Sequence, residues 1–391
     1  MIILVTLLHV YIGLRLLPAL AVFEGAQATL VVALLVSALT MPLPFIGRRS
    51  EIKYRVGDVW KWIGLLSMGW FSSMLVLTVL RDAGLLTGWL ATALASGHAF
   101  DAAWWRSWSA AAVPLAATAI SLIGLLNARR TAGVVRVDVP IRNLPPGLAG
   151  FTIAQLSDIH VGPTIKRGYI QRIVAAVNGL GADMIAITGD LVDGSVAELR
   201  DHVAPLATLR ATHGTFVVTG NHEYYAGAHA WIDELRRLGL RVLLNEHVVL
   251  QRRSVKGAQT DEEVVDSALL VAGVTDFSGG HFDAAHESDP HRALNDAPPL
   301  VHTRVLLAHQ PRSAPAAADA GYHLQLSGHT HGGQFFPWNL FVPLQQPFTA
   351  GLHRLREMWV YTSRGTGYWG PPKRFGAPSE ITLLRLVPAA G

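Results

Sequence analysis

Thr152-Ile153-Ala154-Gln155-Leu156-Ser157-Asp158-Ile159-His160 decides the reading of this chain. Its first five residues are a short, mostly apolar run of the kind that forms a strand, and the run stops at once in a polar Ser-Asp-x-His segment. The arrangement recurs downstream. A strand expected at 184–188 runs into Gly189-Asp190, and one at 215–218 leads to Gly220-Asn221-His222-Glu223. Another, at 304–308, ends in His309-Gln310-Pro311, and one at 322–326 precedes Gly328-His329-Thr330-His331. A sixth strand is expected at 269–272. Amphipathic patterns predict helices at 166–178, 196–209 and 229–238, so short strands alternate with helices, the pattern of a layered α/β domain. Residues 275–300, rich in Asp, His, Pro and Gly without periodicity, read as a loop.

In open α/β sheets, ligand sites gather beyond the carboxyl ends of strands. Five strand ends here deliver two carboxylates (Asp158, Asp190), one amide (Asn221) and five imidazoles (His160, His222, His309, His329, His331) to one edge. That is a metal-site inventory built from nitrogen and oxygen donors alone. Gly189, Gly220 and Gly328 precede ligand candidates, where positive φ or close backbone approach is expected. The chain has no cysteine, which excludes disulfides, a thiol nucleophile and thiolate metal ligation.

Outward from this domain the composition changes. Of the 391 residues, 50% are hydrophobic and only 15% charged. The first 126 residues hold 8 Lys/Arg, 5 Asp/Glu and 2 of the 17 histidines. Four stretches there, 2–22, 25–47, 62–80 and 107–128, have the length and apolar character of membrane spans. Arg48, Arg49, Lys53, Arg55 and Lys61 lie between the second and third, and Arg129, Arg130 and Arg136 follow the fourth. The loop after the first has Glu24 and no Lys or Arg, while the loop after the third has only Arg81 and Arg106. The positive-inside rule then places the large C-terminal part in the cytoplasm, in an integral, multi-pass membrane protein (of the inner membrane, in a bacterium). An uncharged run at 83–100 is expected to lie along the surface rather than form a fifth span, which would reverse that side. Arg15, inside the first span, is read either as a pairing site or as the mark of a shorter, tilted helix. The basic excess sits beside the apolar segments, so the remainder has little net charge to hold phosphate backbones, and nucleic-acid binding is excluded as the main activity.

Taken in order, DxH, GD, GNH(D/E), H and GHxH resemble the pattern of the calcineurin-like metallophosphoesterase superfamily, over residues 148–387. The Leu156–His160 block, His329-Thr330-His331-Gly332-Gly333-Gln334 and Ser363-Arg364-Gly365 are similar to its membrane-associated branch, typified by YkuE- and YaeI-type phosphoesterases and the animal transmembrane metallophosphoesterase-domain proteins. The resemblance implies an N-terminal four-helix transmembrane region (1–128), a basic juxtamembrane linker (129–147) and an α/β metallophosphoesterase domain of the α/β/β/α sandwich type (148–391).

It also implies the chemistry. Asp158, His160 and His331 would hold one divalent metal; Asn221, His309 and His329 would hold another; Asp190 would bridge them. Mn is the expected metal, with Fe, Zn or Co admitted by the same donors. A hydroxide between the ions would be the nucleophile, and His222 would stabilise the transition state or protonate the leaving oxygen, its alternative role being to hold Asn221. The expected activity is hydrolysis of a phosphodiester or pyrophosphate bond, with membrane lipids or a lipid-linked phosphate as partner; oligomeric state is not read. Phosphomonoester hydrolysis uses the same ligands and stays open, as does a receptor or transporter with a sensor domain. Against the last, the expected spans hold no acidic residue. Arg364 fits either a phosphate contact or a structural ion pair, and Phe335 to Trp338 with Trp369 to Arg374 fit either a lipid-gripping patch or core packing.

Overall fold

The computed structural model describes residues 2–45, 57–94, 102–256, 263–299, 301 and 303–389. It divides into two compact units, residues 1–129 with 370–375 and residues 130–369 with 376–391.

The first unit contains helices α1 (Ile2–Leu16), α2 (Ala26–Thr40), α3 (Asp58–Leu94) and α4 (Ala102–Arg129). Each supplies a stretch long and apolar enough to cross a membrane, judged by length and composition. Ile12, Leu16, Leu34, Phe71, Met74 and Ala117 pack among the helices, while Leu4, Leu14, Val32, Leu39 and Leu115 face outward. Helices apolar on all sides have no face suited to water, and their backbone groups are satisfied within the helix, as a bilayer requires.

The helical unit corrects two expectations and decides between the two readings of Arg15. Residues 83–94 do not lie apart as a surface segment; they continue α3, because nothing after Leu80 breaks the helix. At 37 residues α3 is about 55 Å long, well beyond a hydrocarbon core of about 30 Å. The helix therefore does contain an acidic residue, Asp82. Arg15 sits in the last turn of α1 and is the partner of that acid: its Nε and Nη2 donate to the two Asp82 oxygens at 2.7 and 3.1 Å. Tyr11 donates to the same carboxylate at 2.8 Å. Residues 95–101 lie outside the described residues, as do Arg48, Arg49, Lys53 and Arg55. Segment 370–375 packs with these helices. Lys373 Nζ donates to the Gly69 carbonyl at 2.9 Å, and the Arg374 N–H to the Gly124 carbonyl at 2.9 Å.

The second unit runs β1 (Gly133–Ile141), β2 (Thr152–Leu156), α5 (Arg167–Asn178), β3 (Met184–Thr188), α6 (Val196–Val203), β4 (Thr215–Val218), α7 (Asn221–Ala226), α8 (Ala228–Arg237), β5 (Arg241–Val242), β6 (Glu246–Lys256) and β7 (Glu263–Gly273). It continues with β8 (Thr303–Leu307), α9 (Ala314–Asp319), β9 (Leu324–Ser327), β10 (Gly351–Leu355), β11 (Met358–Thr362) and β12 (Glu380–Pro388). Two six-stranded mixed sheets form, ordered β1-β12-β2-β3-β4-β5 and β10-β11-β9-β8-β7-β6. They face one another across a core of Ile153, Met184, Ala186, Phe216 and Val218 from one sheet and Leu269, Val271, Val305, Leu307 and Leu326 from the other. The other face of the second sheet buries Leu270, Ala272 and Leu306 with Ala314 and Ala317 of α9. This is the expected sandwich of two sheets with helices outside.

Strand β3, Met-Ile-Ala-Ile-Thr, is buried at every position, the continuous apolar pattern of a parallel strand covered on both faces. Residues 133–141 were expected within the linker. They form β1 instead, since alternating Val-Arg-Val-Asp-Val has the period of a strand and pairs in parallel with β12. Strands β2, β3 and β4 are parallel, as are β7, β8 and β9, so both sheets bring strand carboxyl ends to the same rim.

Candidate metal centre

The loops after β2 and β3 are zipped together: the Asp158 N–H donates to the Gly189 carbonyl at 3.0 Å, and the His160 N–H to the Asp190 carbonyl at 3.1 Å. Asp158, His160, Asp190, His329 and His331 all have φ between 51° and 69°. Left-handed backbone is uncommon for residues with a side chain, and its concentration at five ligand candidates is strain spent on aiming side chains. Gly189 has φ 85°, and a Cβ there would lie 2.6 Å from the Gly220 nitrogen and 2.8 Å from His309 Nδ1. Gly328 has no room either, because a Cβ would run into Ser157 and Asp158.

All eight residues named from the sequence come together. Asp158, His160 and His331 form one group and Asp190, His309 and His329 another, the donor atoms in each lying within 4.8 Å of one another. In the first, His160 Nε2 faces His331 Nε2 at 3.0 Å, and His331 Nε2 is 3.5 Å from Asp158 Oδ1. In the second, His309 Nε2 lies 3.2 Å from both His329 Nδ1 and Asp190 Oδ2. The same Asp190 oxygen is 3.8 Å from His160 Nε2 and 3.9 Å from His222 Nε2. Asp190 thus stands between the groups.

Hydrogen bonds fix which nitrogen is free to coordinate. His309 Nδ1 donates to the Thr188 carbonyl at 2.8 Å, leaving the Nε2 lone pair directed inward. His160 Nδ1 donates to Asp193 Oδ1 at 3.2 Å, with the same effect. Such outer partners set tautomer and ring orientation in metal sites. Asn221 Oδ1 is buried with no hydrogen-bond partner, an acceptor whose desolvation is otherwise uncompensated. Converging lone pairs and an orphaned amide oxygen fit divalent cations with nitrogen and oxygen donors.

Two further carboxylates beside the site were not singled out in the sequence. Asp193 lies three residues after Asp190, and its Oδ1 accepts from both His160 Nδ1 and His222 Nδ1, the latter at 2.5 Å. Glu223, directly after His222, accepts four backbone N–H bonds, from Asp190, Leu191, Val192 and Gly220, at 2.6–3.3 Å. It is the clamp between the loops after β3 and β4. The spacing Gly189-Asp190-Leu191-Val192-Asp193 and the acid closing Asn221-His222-Glu223 were the available signals. Glu223 is buried and the Asp193 side chain is only 8% exposed.

Burial alone would lower the His222 imidazole, but Asp190 and the bond to Asp193 override it and raise it to about 9. Burial opposes ionisation of Asp193, yet His160 and His222 pull its carboxyl well below the usual range. Burial, then repulsion from His309, lowers His329 to about 3. Burial opposes protonation of His309, but the charge and hydrogen bond of Asp190 together with Asp158 and Asp276 raise it.

Arg364 resolves as an ion pair: its Nη2 is 2.6 Å from Glu380 Oε2, whose residue is buried. The aromatic stretch splits. Phe335 is buried, whereas Phe336, Trp338, Leu340, Phe341 and Leu344 are exposed. Trp369 and Tyr225, both exposed, flank His222 with ring centroids 5.9 and 5.4 Å away. Gln334 holds Trp369 by a pair of 2.8 Å bonds to its backbone. Tyr225 follows the Asn-His-Glu triplet by one residue and was not singled out in the sequence.

Residues 151–333 match the family model described as calcineurin-like phosphoesterase. A transmembrane protein with metallophosphoesterase domain from Bos taurus is 43% identical over 278 residues, covering 70% of this chain and 61% of that protein. This chain therefore spans about three fifths of that relative's length. An uncharacterized metallophosphoesterase from Aquifex aeolicus (strain VF5) is 30% identical over 255 residues, covering 65% of this chain and 91% of that one. The uncharacterized metallophosphoesterase YkuE of Bacillus subtilis (strain 168) is 30% identical over 250 residues, covering 62% and 81%. With five strand-end motifs converging on one rim, the matching family model and these relatives make this chain a member of the calcineurin-like metallophosphoesterase family.

Proposed function

We propose that this chain is a membrane-embedded dinuclear-metal phosphoesterase that hydrolyses a phosphodiester or pyrophosphate bond of a lipid-linked substrate. The observation that carries this reading is Asp190 Oδ2, which lies within 4 Å of nitrogens from both donor groups and of His222. One carboxylate oxygen between two sets of ligands is the arrangement that two neighbouring cations need to offset their repulsion. Asp158, His160 and His331 would hold one ion and Asn221, His309 and His329 the other, with Asp190 shared. Two bound divalent ions supply Lewis-acid polarisation of the phosphoryl group and a water activated near neutral pH. Mn is the metal we assign, with Fe, Zn and Co admitted by the donors.

The protein's own part falls to His222. With Nδ1 tied to Asp193, its Nε2 faces the site and presents a proton to a phosphoryl or leaving oxygen. Tyr225 and Trp369 wall the approach to that ring.

Lipid linkage rests on two features. Four helices are apolar enough to span a membrane, and the apolar side chains from Phe336 to Leu344 are exposed just past the last metal motif. Arg129 stacks over Trp62 with its Cζ 5.4 Å from the ring centroid, so the start of α3 and the end of α4 share one basic end, which we place in the cytoplasm. The test uses the full chain in detergent, stripped and reloaded with Mn²⁺, on bis-p-nitrophenyl phosphate, p-nitrophenyl phosphate and a phospholipid diester. Metal-dependent turnover that favours diesters and is lost in Asp190→Asn supports the reading. Preference for the monoester refutes the diester assignment, and turnover indifferent to metal refutes the whole.

A further inference from the structure

A second cluster of metal-ligating side chains lies outside the centre described above. His229, at the start of α8, and Asp283 and His286, from the loop between β7 and β8, offer three donor atoms within 4.8 Å of one another. His229 Nε2 is 3.1 Å from Asp283 Oδ2, and the His229 and His286 ring centroids are 5.0 Å apart. Ligands on one ion, each about 2.1 Å from it, stand roughly 3.0–3.5 Å from their neighbours, so this spacing needs little adjustment.

Three further observations separate the cluster from a surface ion pair. His286 is buried, 8% exposed, and its Nδ1 is occupied by the Tyr224 hydroxyl at 2.9 Å. That contact orients the ring and leaves Nε2 to a ligand, as outer partners do for metal-bound histidines. Asp283 is fixed as well: its Oδ1 accepts the Ala285 N–H at 2.9 Å, which turns Oδ2 toward His229. The loop itself is held in place, with Thr275 Oγ1 donating to the His286 carbonyl at 2.9 Å and Asn245 Nδ2 to the Glu287 carbonyl at 2.9 Å. Two of the three ligands are therefore preset by other contacts, and exposed His229 completes the set.

We propose that His229, Asp283 and His286 form a peripheral binding site for one divalent transition metal, separate from the paired centre. Two imidazoles and one carboxylate with open remaining positions suit Zn²⁺, Ni²⁺ or Fe²⁺ over Mg²⁺ or Ca²⁺. An ion there ties the β7–β8 loop to α8 and, through Tyr224, to α7, the helix that carries Asn221 and His222. The site is structural: it braces the helix behind the catalytic residues and touches no substrate.

The test is metal counting on the full chain in detergent, stripped with chelator, equilibrated with Zn²⁺ and freed of excess by gel filtration. Wild type is expected to retain one more Zn²⁺ per chain than either His229→Ala or Asp283→Asn. His281→Ala, a control at a nearby loop histidine, should keep the wild-type number. The readout is a difference of one ion, so it is independent of how many ions the paired centre holds. Zn²⁺ should also raise the melting temperature of wild type more than that of His229→Ala, because an ion that binds only the folded state stabilises it. Equal counts in wild type, His229→Ala and Asp283→Asn overturn the proposal, as does equal loss in His281→Ala.

Discussion

Asp193 Oδ1 holds His222 Nδ1 at 2.5 Å while accepting His160 Nδ1 at 3.2 Å. One carboxylate oxygen therefore sets the orientation of a ligand candidate and of the candidate acid together. Asp193→Asn keeps an acceptor oxygen but removes the negative charge that holds both imidazoles. Turnover of the diester should fall about 10²- to 10⁴-fold, the range for loss of positioned acid–base catalysis. Apparent metal affinity should drop about 10- to 100-fold through His160. Steady-state kinetics across a metal titration separates the two effects, and wild-type behaviour in both would remove Asp193 from the site.

Asn221 is the weakest donor in the set, and its buried oxygen lacks a partner. Asn221→Ala should lower the number of ions retained after gel filtration while leaving the fold intact, since no hydrogen bond to that oxygen is lost. Atomic emission counting against circular dichroism checks both halves. Unchanged metal content would exclude Asn221 as a ligand.

Glu223 is a stability prediction. Its carboxylate takes four backbone donors, so Glu223→Ala strands buried N–H groups at about 1–3 kcal/mol each. Unfolding of the metal-free protein should come at least about 3 kcal/mol more easily, with Glu223→Gln intermediate because one acceptor oxygen survives. A chemical denaturation midpoint equal to wild type would contradict the clamp.

Arg15 and Asp82 should behave as a pair. Arg15 and Arg81 share the Asp82 carboxylate, so Arg15→Leu leaves the acid one guanidinium while Asp82→Leu takes the acid from two cations. Asp82→Leu is expected to lose more stability in detergent than Arg15→Leu, and the double variant to lose less than the sum of the two. Additive losses would mean that the 2.7 Å contact contributes no coupling.

The exposed segment from Phe336 to Leu344 tests the lipid assignment. Trp338→Ser with Phe341→Ser should raise KM for a vesicle-borne substrate several-fold and leave turnover of a soluble chromogen unchanged. Equal effects on both substrates would make these side chains structural.

The motif-bearing edge was legible because local periodicity and ligand order coincide there. Strands β2, β3 and β4 fall on the residues expected for them, each bounded by an abrupt change from apolar to polar. What stayed hidden depends on partners remote in sequence. The β1 stretch looked like linker because its Val-Arg alternation is half polar, and only the distant β12 makes it a sheet edge. The β7 strand was anticipated at four residues and extends to eleven because it pairs with β6 along its whole length. Asp82 was placed beyond the third span, where hydropathy falls; a helix does not end where hydropathy does, only where its backbone is broken. Asp193 and Glu223 were passed over because they act through the backbone and through other side chains, which spacing alone does not reveal.

The place of β12 has a consequence for how this chain is made. Glu380–Pro388 lies between β1 and β2 in the first sheet, so the strand that launches Asp158 and His160 gains its neighbour on that side only from residues translated more than two hundred positions later. A ribosome that stalls before residue 380 releases a chain whose β2 edge is unpaired, whatever else has folded. Completion of the first sheet therefore waits until β12 has been made. A nascent chain must be kept from pairing that open edge elsewhere until β12 arrives.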